Sequence, residues 1–427
     1  MKKIKLSKEF LNLTEEYPDY IKNSLIQLFE NVFCNIRIEN IISILFIGSG
    51  SRNELSYKIE KNNIDIFSDY EFVIIVNKML DQNEFNKLNN IFRNLEKKWN
   101  IKSPLFYIDY GVSTLSKFKL TPPTLWAYEA KYLGVIVYGK DVRKDLVDVT
   151  LSNLDYGNLN ELIIVRLWNM LVHMNEGFIK KENNQYENFI IKFYYSRNIL
   201  DILTILLPNH GVLKGGYKNR TDYFLNEYDD KKWNDYKDSF KKITELKVDL
   251  KDEVTLEESQ NIFNNSFINL IADICKVSSI KNIDEVEKNK KTILKAKIFK
   301  EKIIRTLRRK VIEFKLFKNY YKYDINSIRL FTNDGIRINL LFLLLLIHKS
   351  IHLSLPNDEK IKYLKKAIDY FNKISYQSKY NYSDDISFED NFISLREKLL
   401  DFMMIWFYGR SNVDKKDIEK YMKWRDI

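Results

Sequence analysis

Two short apolar runs, Ile41–Ile47 (IISILFI) and Tyr70–Val76 (YEFVIIV), constrain this chain more than any other feature. Both are rich in β-branched and aromatic residues, and the first stops at Gly48-Ser49. Runs of this length bounded by turn residues read as strands buried in a sheet. Leu105–Val112 supplies a third strand, and the VIVYG that follows Gly134 supplies a fourth, ending at Gly139.

Helical patterns separate the strands. Ile21, Leu25, Leu28, Phe29, Val32 and Phe33 recur at helical spacing, and Phe85, Leu88, Ile91, Phe92, Leu95 and Trp99 line one side of Gln82–Trp99. Leu55 and Ile59, four apart, predict a short helix over Arg52–Lys61, and Leu125–Tyr132 predicts another. Helix and strand therefore alternate through the first third of the chain, the pattern of an α/β or α+β catalytic domain.

Beyond residue 150 the strand signal fades. Leu159–Glu176, Tyr186–Leu207, Lys231–Leu246, Leu256–Cys275, Val286–Tyr321, Asp334–Ile351, Asp358–Ile374 and Phe388–Tyr408 read as helices, with Tyr376–Ser387 a polar loop. Only 12 Gly and 6 Pro in 427 residues favour helices over a loop-rich all-β fold. The expected class is α+β: a mixed sheet with flanking helices, then a mostly α-helical C-terminal region. Three domains are expected, over 1–150, 151–280 and 281–427.

The longest apolar run, Leu340–Ile347, is far short of the ~20 residues that span a bilayer, so it predicts a buried helix and no membrane span. The basic N-terminus is followed by no apolar signal core. Two distant cysteines, Cys34 and Cys275, form neither a disulfide framework nor a zinc spacing, and a reducing cytoplasm is the simplest expectation. Cys34 follows Phe33 in an apolar helix and is expected in the core.

Chemistry concentrates at the ends of the strands. Asp69 and Glu71 are two apart at the start of a strand, so they point to one face and can share a hard divalent cation. Without a cation they would repel. At the end of the preceding strand, Gly48 allows a phosphate to approach the backbone, and the N–H groups that follow are donors toward it. Ser49 and Ser51 add hydroxyls, and Arg52 adds a planar cation, although a surface role suits Arg52 equally. A triphosphate held there would lie near Asp69 and Glu71. Two metal ions could steady the leaving pyrophosphate and activate an acceptor oxygen, with Asp109 on a neighbouring strand binding the acceptor-side metal and helping to deprotonate the acceptor.

The order F-I-Gly48-Ser49-G-S-Arg52-N-Glu54, then S-Asp69-Y-Glu71-F-V-I-I-V, then F-Y-I-Asp109-Y, resembles the nucleotidyltransferase superfamily that includes the DNA polymerase beta-like, minimal and aminoglycoside nucleotidyltransferases. Val135–Gly139 is similar to its apolar closing strand, which ends near a Tyr-Gly. The resemblance covers about residues 40–145. It implies that Gly48 and Ser49 hold phosphate and that Asp69, Glu71 and Asp109 bind Mg2+. It also implies that a helical domain lends basic residues to the triphosphate, for which Lys192 is the candidate. An exposed lysine on a helix that buries Phe193, Ile199 and Leu200 is the competing reading of Lys192. The interval from Gly48 to Asp69 is longer than in the minimal members, so Lys58–Ile66 reads as an added loop, and the second carboxylate is Glu71 where Asp also occurs.

Three other features compete for a role. The loop from Pro208 to Arg220 could close over a substrate or serve as a basic linker. His348 and His352 are four apart, a metal-ligand spacing, but no third ligand is near and an ordinary helix face is the simpler reading. Lys281–Leu330 carries sixteen Lys/Arg against six Asp/Glu, close to the whole net charge of +11. Such a segment could bind nucleic acid, although a long helix with one solvated face is commoner.

The expected function is Mg2+-dependent transfer of a nucleoside monophosphate from a nucleoside triphosphate to an acceptor hydroxyl or phosphate, releasing pyrophosphate. The acceptor is expected to be a small molecule or sugar. The alternatives are an RNA- or tRNA-directed transferase using the basic segment, and a catalytically silent nucleotide-binding or scaffolding protein.

Overall fold

The computed structural model describes residues 5–60, 63–99, 101–277, 280–293, 335–375 and 380–408. The chain divides into two compact units. The first comprises Met1–Asp155, His210–Tyr228 and Thr244–Asp252, and the second comprises Tyr156–Asn209, Asp229–Ile243 and Glu253–Ile427. An N-terminal mixed sheet with flanking helices is followed by a mostly helical region.

The first part of the chain forms α1 (Lys8–Thr14), α2 (Asp19–Asn35), β1 (Ile41–Ile47), a single turn α3 (Gly48–Ser51), β2 (Tyr57–Glu60), β3 (Asn63–Ile66) and β4 (Tyr70–Val76). Then come α4 (Gln82–Trp99), β5 (Ile108–Thr114), α5 (Leu115–Lys119), α6 (Leu125–Leu133) and β6 (Val135–Gly139). The sheet order is β5-β4-β1-β6, with β1 antiparallel to β4 and β6, and β4 parallel to β5.

Alternation along β1 and β4 explains why both runs are apolar apart from Ser43 and Glu71. Ile44, Phe46, Phe72 and Ile74 face α1, α2 and α4, whereas Leu45, Ile47, Val73 and Ile75 pack with Phe118 of α5 and Ala130 of α6. On the first face Phe29 meets Phe46 and Phe72 edge-on at 6.1 and 5.2 Å, and Phe72 meets Phe92 at 5.7 Å. These edge-to-face contacts fix the sheet against its helices.

Some expectations are corrected. Arg52–Lys61 is not a helix. Leu55 is buried and Ile59 is 57 % exposed, so the pair shares no helical face. The segment instead enters a β2–β3 hairpin in which Tyr57 pairs with Ile66 and Ile59 with Ile64. The third strand begins at Ile108, where pairing with Tyr70 starts, because a turn occupies the residues after Pro104. Cys34 is exposed, since α2 turns Phe29, Val32 and Phe33 inward and Cys34 away.

The chain continues through α7 (Tyr156–His173), α8 (Glu176–Ile179), α9 (Gln185–Asn209), α10 (Tyr217–Asn226), α11 (Lys237–Asp249) and α12 (Leu256–Cys275). Helices Gly335–Ser350, Asn357–Ile374 and Phe388–Tyr408 follow. Thr255 and Glu258 close a capping box at the start of α12. In the second unit, His348 is buried and its Nε2 lies 2.9 Å from the carbonyl oxygen of Leu167, while Arg396 donates to the carbonyls of Leu171 and Val172 near the end of α7. His348 and His352 are both buried, and burial pushes their imidazoles down to about 4. Val286–Tyr321 is broken where it is described, into helices Ile283–Lys288 and Lys290–Ile293, and Leu294 to Leu330 of the basic segment lie outside the described residues. Among the described residues no helix is long and apolar enough to cross a membrane.

Candidate functional site

Strand register assembles the site at one end of the sheet in the first unit. Ile47, the last residue of β1, pairs with Glu71 of β4, and Glu71 pairs with Asp109 of β5. Directly paired residues point to the same face. Glu71 and Asp109 therefore share the α5–α6 face, and Gly48 follows at the open end of β1.

Gly48 has φ +71°, a left-handed conformation that glycine adopts without strain. A Cβ there would lie 2.5 Å from Glu71 Oε2, so the carboxylate rests against the bare backbone. The turn that follows is short: Ser51 Oγ donates to the Gly48 carbonyl at 3.1 Å, and Tyr17 donates to the Gly50 carbonyl at 2.7 Å. One turn has little macrodipole, so what it can offer an anion is its first N–H groups, which have no partner within the turn. Ser49 is half-buried beside them.

The carboxylates crowd one another. Burial, then the charges of Asp69, Asp109 and Glu129, push Glu71 up to about 8, and Arg52 only partly opposes this. Asp109, on the exposed edge strand, is pushed up to about 6 by loss of solvent around its carboxylate and by Asp69, against the pull of Arg93 and the Tyr110 N–H. Oxygen donors of this kind suit Mg2+ or another hard cation. The set is open: Asp69, Glu71 and Asp109 do not bring three ligand oxygens within 4.8 Å of one another.

Arg52 is committed to carboxylates. Its Nε donates to Glu54 at 3.0 Å and its Nη1 to Glu129 at 3.2 Å. Glu129 also accepts from Arg220 and, at 3.0 Å, from the Gly216 N–H. Burial works against its charge, but Arg52, Arg220 and that N–H hold Glu129 below the usual carboxylate range. Glu54 accepts from the N–H groups of Tyr217 and Lys218 at 3.1 and 2.9 Å. It caps α10 from a distance, because the N-cap residue, Gly216 at φ +78°, has no side chain to do so. The Pro208–Arg220 segment is thus no plain linker: its last residues begin a helix fastened by two glutamates to the α3–β2 connection and to α6.

Gly48, Ser49, Ser51, Arg52, Asp69, Glu71 and Asp109 all gather in the first unit. Lys192 lies in the second, half-buried on α9 between Ile191 and Phe193. Sequence reasoning missed Glu54 and Glu129 as organisers of the site. A lone Glu in WAYEA of α6 has no spacing signature, and its partners lie 77 and 91 positions away. No protein-family model, curated protein or solved structure matches this chain.

Proposed function

We propose that the first unit is a nucleotidyltransferase that moves a nucleoside monophosphate from a nucleoside triphosphate to an acceptor, releasing pyrophosphate. The observation that carries this is the register Ile47–Glu71–Asp109, which sets a Gly-Ser turn beside an acidic cluster at one sheet end. The resemblance described above requires the same parts in the same order: a strand ending in Gly-Ser, a short helical turn, Asp-x-Glu opening a strand, and an acid on another strand.

Asp69, Glu71 and Asp109 would hold Mg2+, which when bound would neutralise phosphate charge and polarise the acceptor oxygen. The chain's own residues do the rest. Gly48 lets the Glu71 carboxylate lie against the backbone, and the first N–H groups of the turn with the Ser49 hydroxyl are the donors toward a phosphate. Glu129 and Glu54 hold Arg52 near Glu71, where its charge offsets part of the acidic field. Asp109, on the neighbouring strand, would bind the acceptor-side metal and help to deprotonate the acceptor. A small molecule or sugar is the proposed acceptor class.

A thermal-shift screen of nucleoside triphosphates with Mg2+ tests the donor half, since a ligand bound only by the folded state raises the melting temperature. The best donor is then offered with candidate acceptors and pyrophosphate is measured. Asp69→Ala and Glu71→Ala should each abolish its release; triphosphate binding that survives both, with no pyrophosphate from wild type, favours a silent nucleotide-binding protein. The alternative, an RNA-directed transferase using the basic segment Lys281–Leu330, requires RNA binding that weakens steeply with salt.

A further inference from the structure

A buried lysine is linked through Ser56 to Ser68, the residue before Asp69. Lys247, near the end of α11, is 3 % exposed, and its Nζ donates at 2.7 Å to Ser56 Oγ, 191 residues earlier in the chain. Ser56 Oγ donates back to the Lys247 carbonyl and accepts from Ser68 Oγ at 3.3 Å. The Ser56 N–H donates to Ser68 Oγ at 3.0 Å. Ser56 and Ser68 are both buried, and the Tyr217 ring centroid is 5.8 Å from the ammonium. A hydroxyl has one proton and two lone pairs, so the Ser56 side chain is saturated by these three contacts. Its rotamer is fixed, and with it that of Ser68, the residue immediately before Asp69.

The geometry points to Lys247 as a positioning residue for the carboxylate site, acting through Ser56 and Ser68 on the backbone from which Asp69 projects. The hairpin β2–β3 sits between Ser56 and Ser68, and the Phe67 N–H donates to the Ser56 carbonyl at 2.7 Å. These contacts close the neck of the hairpin. Lys247 locks that neck from a distant part of the chain. A buried lysine is costly unless its partners are well placed, and here they orient a residue adjoining a candidate metal ligand. The inference rests on the metal-dependent reading of the site.

Mn2+ titrations of the full chain, followed by electron paramagnetic resonance, test it. The variants are Lys247→Met, Lys247→Arg, Ser68→Ala and the double variant Lys247→Met/Ser68→Ala. Lys247→Met and Ser68→Ala should each weaken Mn2+ binding about tenfold or more, the usual effect of removing a group that orients a ligand. The double variant should be no weaker than the weaker single one, because both act along one path, and Lys247→Arg should recover part of the loss. A lysine-to-methionine change keeps the volume and is tolerated in many interiors. Should that variant not fold, Ser68→Ala alone decides. Wild-type affinity in Ser68→Ala, or losses that multiply in the double variant, overturns the inference. Absence of Mn2+ binding by wild type overturns the functional reading and the inference with it.

Discussion

Glu71 rests its carboxylate against the bare Cα of Gly48, so that a Cβ at Gly48 would lie 2.5 Å from Oε2. The left-handed φ of Gly48 adds backbone strain to that collision for any other residue. Gly48→Ala is expected to cost about 1–3 kcal/mol of stability, the range for a non-glycine held at such a φ. It should also push Glu71 aside and lower pyrophosphate release by about a hundredfold, the effect of misplacing a reacting group by an ångström. Chemical denaturation and an activity assay check the two separately. A variant with wild-type turnover would remove Gly48 from the site.

Metal-free stability should depend on pH through Glu71. Its folded value, about 8, lies above the ordinary 4.5, so between these limits the folded protein binds more protons than the unfolded chain. Stability then falls as pH rises through that window, and a cation should restore it. Glu71→Gln removes the ionisation. Without metal it should melt close to wild type near the lower limit and above wild type near the upper one. Mg2+ should raise the wild-type melting temperature more at the upper limit than at the lower and leave the variant nearly unmoved. Parallel melting curves for the two proteins would follow if Glu71 were an ordinary solvated acid.

Glu129 binds Arg52, Arg220 and the Gly216 N–H together. Glu129→Ala leaves two guanidinium groups without that partner and should cost about 3 kcal/mol, the low end for breaking an interior ion pair. Glu129→Gln keeps an acceptor for Gly216 and should cost less. Proteolysis near Gly215 and Gly216 is the complementary readout, since loosening the turn should expose it first in the alanine variant.

Much of the sheet was legible because its signal is local. β1 and β4 fall at Ile41–Ile47 and Tyr70–Val76, where the largely apolar runs read as strands buried in a sheet, and α4 fills Gln82–Trp99. Asp69, Glu71 and Asp109 were legible as a group because strand ends collect at sheet ends. The hairpin was hidden because Leu55 and Ile59 imitate helical spacing, while strand pairing, a longer-range effect, decides the segment. Glu129 and Lys247 were hidden for the same reason in stronger form. Each matters through partners far along the chain, and a lone Glu or Lys on a helix carries no mark of what it will meet. α10 was read as loop since its start depends on Glu54, not on a capping residue of its own.

We propose that the acidic cluster and the Gly48 turn together bind a metal-bound nucleoside triphosphate. Calorimetric titration of wild type and of Asp69→Ala/Glu71→Ala with each nucleoside triphosphate, with and without Mg2+, tests it most directly. At least one triphosphate should bind wild type, its binding should require Mg2+, and the double variant should lose the Mg2+-dependent part. Equal Mg2+-dependent binding by both proteins, or no binding of any triphosphate by wild type, would contradict it.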